Sequence, residues 1–146
     1  MAAIAASTEV DRPAEEVFAY ATDPTRFAEW QQGVIDSHLA DPDAALKVGA
    51  RCQTTRRIGR AERASTSELT HIDPPRTWGV RGIDGPIRAV VEVTVEPLAP
   101  ARSRLTIAVD FEGRGIGKLL VPLLVRREAR KEMPANIATL KRCLED

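Results

Sequence analysis

The stretch Gly113–Leu144 sets the fold. It opens Gly113-Arg-Gly-Ile-Gly117 and then runs as one helical pattern almost to the end of the chain, whereas most of what precedes it reads as β-strand. Leu119, Leu123, Arg126, Arg130, Met133, Ile137, Leu140 and Leu144 follow at alternating steps of three and four, which puts them on one helical face. Six of these eight are apolar and form a stripe suited to covering a sheet. Pro122 falls in an early turn, where a missing N–H costs little. Pro134 is expected to bend the helix, and the Ile137/Leu140/Leu144 spacing favours a helix that continues past it.

The segments before it switch period. Ile4–Val10 reads as a strand stopped by Asp11-Arg-Pro13, which opens a short helix with Glu15 and Glu16 near its N-terminus. Asp23-Pro24 repeats the start signal for a second short helix carrying Phe27 and Trp30. From Val34 the period is two. Val34–Leu39, Ala50–Ile58, Ala61–Ile72, Thr77–Ile83, Arg88–Val95 and Leu105–Phe111 are the expected strands, with Pro97 to Ser103 as a loop. Turns such as Asp73-Pro-Pro75 and Asp84-Gly-Pro86 make the sheet largely antiparallel. The expectation is one α+β domain over residues 1–146.

Several chemistries lack support. Lys plus Arg and Asp plus Glu balance at 21 each, and aromatic residues are few, which argues against a nucleic-acid-binding domain. Cys52 and Cys143 stand far apart and read as reduced residues of a cytoplasmic protein. No run suits a membrane span or a signal peptide. Two histidines without ordered ligand partners make no metal site, and no cofactor is expected. Gly113–Gly117 lacks the ending of a phosphate loop, so its glycines are read as allowing a sharp strand-to-helix turn.

Val10-Asp-Arg-Pro-Ala-Glu-Glu-Val-Phe18, Asp23-Pro24, Phe27-Ala-Glu-Trp30, the Gly49–Arg51 opening, Ile72-Asp-Pro-Pro-Arg-Thr-Trp78 and the closing Leu140-Lys-Arg-Cys-Leu-Glu145 carry a resemblance across nearly the whole chain. They resemble the START/Bet v 1-like (SRPBCC) superfamily, and within it the polyketide cyclase/dehydrase-type branch. The resemblance implies a helix-grip fold. A curved antiparallel sheet of about seven strands would wrap around the long C-terminal helix, with two short helices after the first strand. It also implies a hydrophobic small molecule held between sheet and helix, and a homodimer is kept among the expected partners.

Three functions stay open: binding of a lipid- or polyketide-like ligand, a cyclase/dehydratase-type enzyme, and an interaction module with a filled interior. The expected walls are Trp78, Val80, Val91, Val93, Leu119, Leu123, Met133 and Ile137. Polar orientation would come from Arg126, Arg130, His71 or Ser67. The two arginines either face the cavity and hold an anionic group or turn outward to Glu128 and Glu132. His71 shares the alternating face of Leu69, Ser67 and Ser65 and is either a general base or a strand-end residue near solvent. Trp30 reads as an anchor between short helix and sheet. Glu68 and Asp110 are expected to face solvent, and no carboxylate pair is forced together.

Overall fold

The computed structural model describes residues 3–43, 46–58 and 60–146. Strand β1 (Ile4–Val10) leads into helix α1 (Ala14–Ala21), a 3₁₀ turn (Pro24–Arg26) and the short helix α2 (Phe27–Trp30). Six strands follow: β2 (Val34–Leu39), β3 (Arg51–Ile58), β4 (Ala61–Asp73), β5 (Thr77–Gly82), β6 (Ile87–Ala99) and β7 (Arg102–Gly113). They pair antiparallel in one seven-stranded sheet ordered β1-β7-β6-β5-β4-β3-β2. The chain closes with α3 (Gly117–Leu120), a π turn (Val121–Val125) and α4 (Arg126–Glu145). This is the helix-grip architecture.

Local signals act as their chemistry dictates. Asp23 caps the 3₁₀ turn through Oδ1, which accepts the Thr25 N–H at 3.0 Å, and Pro24 supplies the preset φ of a first position. The expected loop from Pro97 to Ser103 is instead a tight turn, because β6 continues through Pro97, paired with Ser103, to Ala99. A register shift after Pro97 absorbs the residue that cannot donate to the ladder. α4 runs unbroken through Pro134.

The core lies where α1, α2 and α4 cover the sheet. Val10, Val17, Val93, Val95, Leu105 and Leu140 are sealed from solvent, each worth roughly 1.5–3 kcal/mol of burial. The C-terminal half of α4 is tied to the end of β1. Lys141 Nζ donates to the Glu9 carbonyl at 2.5 Å, Asp11 N–H to Glu145 Oε2 at 2.9 Å, and Arg12 Nη2 to the Glu145 carbonyl at 3.0 Å. Asn136 Oδ1 accepts the Gln32 N–H at 2.9 Å, which ties the middle of α4 to the end of α2.

The N-terminal half is anchored separately, and here the glycines are a matter of space. A Cβ on Gly117 would lie 1.9 Å from the Pro86 carbonyl oxygen, and one on Gly113 would lie 2.3 Å from the Gly117 oxygen. The helical span therefore starts pressed against the β5–β6 turn, where Arg114 N–H also donates to Pro86 O at 2.8 Å.

Candidate functional site

Directly opposed residues of antiparallel strands share a face, so the ladders define the inner surface row by row. One row runs Ile107–Val93–Trp78–Ile72 and is largely buried. The next runs Val109–Val91–Val80–Leu69, and all but Leu69 are only partly buried. Beyond it lie Phe111–Ala89 on β7 and β6 and Gly82–Ser67–Cys52–Leu39 on β5 to β2. Side chains are small in the middle of this row, and Ala89, Gly82 and Ser67 remain partly open. The inner face is thus sealed near α1 and α2 and open near the β7–α3 end.

A polar wall borders the open half. Ser37 Oγ lies 3.0 Å from Thr54 Oγ1 and 3.4 Å from Cys52 Sγ, all three buried. One step along β3, Arg56 stands on the same face opposite Val34, and its Nη2 donates to Gln31 Oε1 at 3.1 Å. Burial pushes the Arg56 guanidinium below its ordinary value, against the pull of the Glu132 carboxylate on α4. Burial likewise raises Glu132, and Arg56 offsets part of that rise. Arg56 on β3 and Glu132 on α4, both partly buried, are thus close enough to act on each other's charge. They can orient an anionic or carbonyl oxygen, or exchange a proton with one.

The sequence-derived residues fall into three groups. Val80, Val91 and Ser67 line the open half, while Trp78, Val93, Met133 and Ile137 belong to the sealed half. Phe27 meets both tryptophans edge-on, Trp78 at 6.2 Å and Trp30 at 6.0 Å between ring centroids. Both indole N–H groups are buried without a hydrogen-bond partner among the described residues.

His71, Arg130 and Leu119 are not where the periodicity puts them. A bulge between Leu69 and His71 breaks the alternation of β4, so Ile72 turns inward and His71 outward. The imidazole covers Gly79 on the outer face and binds Glu92 Oε2 through Nε2 at 2.5 Å. Leu119 is 61 % exposed and Arg130 is exposed as well. The π turn explains the former. Arg126 N–H bonds the Val121 carbonyl, five residues back, so the buried line passes through Gly117, Val121 and Arg126 rather than through Leu119. Within α4 the line steps from Arg126 to the partly buried Ala129 and then to Met133, leaving Arg130 outside. The Leu123 side chain lies outside the described set.

Arg126, expected either to face the cavity or to turn outward, lies on the buried line and binds Asp110. It is buried, and its Nη1 donates to Asp110 Oδ1 at 2.7 Å. The same oxygen accepts the Phe111 N–H at 2.9 Å. Among the described residues β1 pairs with β7 only as far as Val109, and the Asp110 carboxylate reaches round the edge of β7 there.

Sequence reasoning missed Arg56 and Glu132. The signal was present for Arg56, which alternates with Cys52 and Thr54 on the small-residue side of its strand. Glu132 sits beside Met133 on the flank of the stripe and carries no mark of its own. Two surface concavities lie elsewhere. One of about 200 Å³ on the outer face includes Glu68, Arg81 and Arg88, and one of about 500 Å³ lies at the β2–β3 connection around Val48. Among the described residues no group of three or more His, Cys, Asp or Glu side chains could hold a metal ion, and no helix is long and apolar enough to cross a membrane.

Comparison with known proteins bears on this arrangement. Residues 1–145 match the family model described as polyketide cyclase / dehydrase and lipid transport. No curated protein matches. Among solved structures, a START superfamily protein from Mycobacterium smegmatis superposes with a TM-score of 0.77 at 12% identity, covering 99% of this chain and 97% of that one. A conserved protein from Geobacillus kaustophilus gives 0.71 at 20% identity, covering 96% and 93%. The di-domain ARO/CYC BexL from the BE-7585A biosynthetic pathway gives 0.74 at 15% identity, covering 97% of this chain but 46% of BexL. The chain spans about half the length of that two-domain protein.

Proposed function

We propose, for a chain that belongs to the polyketide cyclase / dehydrase and lipid transport family, that it binds a small, largely apolar molecule with one polar end. The site is the inner face of the sheet beneath residues 117–133. The observation that carries this reading is the change in lining. The inner face is bulky and sealed through Trp78, Val93 and Ile107, then small and part-open through Val91, Ala89, Gly82 and Ser67. Apolar contact supplies affinity at roughly 25 cal/mol per Å². Arg56 sets orientation by holding a carboxylate or enolate oxygen through charge-assisted hydrogen bonds. The free thiols of Cys52 and Cys143 fit the cytoplasmic setting expected from the sequence.

Titration of the protein with dodecanoate and with dodecanol tests this. The wild type should bind the carboxylate more tightly. Arg56→Leu should weaken dodecanoate by tenfold or more and leave dodecanol unchanged. Absence of binding to either probe overturns the reading, and an equal loss for both assigns Arg56 to structure alone.

One observation favours a catalytic second reading. Glu132 is held toward its neutral form by burial while facing a guanidinium. Its ionised form, made a stronger base by the same burial, can take a proton from the carbon beside a carbonyl, becoming the neutral acid, while Arg56 stabilises the enolate oxygen. Under this reading Glu132→Gln abolishes enolisation of a β-ketoester and preserves its binding.

A further inference from the structure

The span 114–131 holds a second surface, facing away from the groove. The π turn that lines up Gly117, Val121 and Arg126 on the buried side also lines up Ile116, Leu119 and Leu124 on the opposite side. These three are 66 %, 61 % and 57 % exposed, which makes this short span the main concentration of exposed large apolar side chains in the described structure. The same span carries six basic residues and one acidic residue, Glu128, in a chain whose total charge is zero, so the remainder is net acidic. Arg126 is spent on Asp110, but Arg127 and Lys131 are exposed and follow the apolar line into α4.

The topology adds to the asymmetry. The β3–β4 hairpin lies at the same end of the sheet as the start of β6 and the end of β7, because β3 to β7 are successive antiparallel strands. Exposed Arg57, Arg60 and Arg63 therefore stand at the same end of the sheet as α3. Apolar side chains projecting from a helical segment, flanked by cations, match a bilayer interface that carries anionic headgroups. A second copy docked through the same face would set its own cations against these.

We infer that residues 114–131 dock this protein on an anionic lipid bilayer, with Leu119 and Leu124 entering the headgroup boundary and Arg127 and Lys131 meeting lipid phosphates. Docking stands apart from ligand binding, since it uses only outward side chains.

Co-sedimentation with vesicles tests it. One set is phosphatidylglycerol and phosphatidylcholine in equal parts, and the other is phosphatidylcholine alone. The wild type should sediment with the anionic set, at least tenfold more strongly than with the neutral set, and release as salt rises toward 0.5 M, where charge is screened over roughly 4–5 Å. The pair Leu119→Ser/Leu124→Ser and the pair Arg127→Glu/Lys131→Glu should each lower partitioning tenfold or more. Both pairs alter exposed side chains, and an unchanged urea midpoint confirms an intact fold. Equal binding to both vesicle sets, no binding to either, or variants that bind like the wild type would overturn the proposal. A dimer that the Leu119→Ser/Leu124→Ser pair dissociates, without vesicle binding, would assign the face to a second copy instead.

Discussion

Replacing either partner of the Arg126–Asp110 contact removes the same bond, yet the two changes should differ in cost. Arg126 is 4 % exposed and Asp110 is 43 % exposed. Asp110→Ala takes a carboxylate from a buried guanidinium and also removes the acceptor of the Phe111 N–H. A hydrogen bond to a charged group contributes about 1.5–3 kcal/mol and a neutral one about 0.5–1.5 kcal/mol. The expected loss is therefore about 2–4.5 kcal/mol. Arg126→Met leaves a carboxylate that water can reach and fills the buried space with a flexible apolar chain. Its expected cost is about 0–1.5 kcal/mol, since well-packed apolar replacements of buried ions are often near neutral. Asp110→Asn keeps the acceptor for Phe111 and should fall between the two. Urea unfolding with a constant m-value reads all three. If Arg126→Met costs more than Asp110→Ala, the asymmetry argument is wrong.

Other predictions follow from the same geometry. Glu132 is raised in the folded state, so the wild type has that stability in full below the unfolded carboxyl value of about 4.3 and loses it as pH rises through the higher folded value. Glu132→Gln should thus be the more stable protein at pH 7, with its advantage vanishing in urea titrations at pH 4. His71→Gln should leave dodecanoate affinity unchanged in the same titration that Arg56→Leu disturbs, because the imidazole lies on the outer face with Glu92. Leu140→Ala, at a fully sealed position, should lower unfolding free energy by about 2–5 kcal/mol in urea melts.

How far the fold was legible in the chain depends on what kind of information each element carries. Periodicity two and the turn residues gave seven strands, and the Asp-Pro start gave the second short helix, because alternation and capping are local. Two single-residue insertions were invisible. The bulge after Leu69 reversed His71, and the π turn rotated Leu119 off the buried line. Neither changes composition or spacing in a way that a fixed period of 2.0 or 3.6 detects, yet the bulge flips the strand beyond it and the π turn rotates the helical span before it against the span after it. The Asp110 contact was hidden for another reason. It depends on where β1 stops pairing, which is a tertiary fact. Arg56 was open to inference from its place on the small-residue side of β3, whereas Glu132 acquires its role only once α4 is laid over the sheet.

The central claim is that a ligand lies on the inner face, and β6 offers its most direct test. Val90 and Val91 are adjacent residues with opposite directions, Val91 inward opposite Val109 and Val90 outward opposite Asp110. Intermolecular nuclear Overhauser effects between dodecanoate and methyl-labelled valines distinguish the two faces. Contacts are expected to Val91, Val109 and Val80 and none to Val90. Contacts to Val90 without Val91 would place the molecule on the wrong side of the sheet and contradict it.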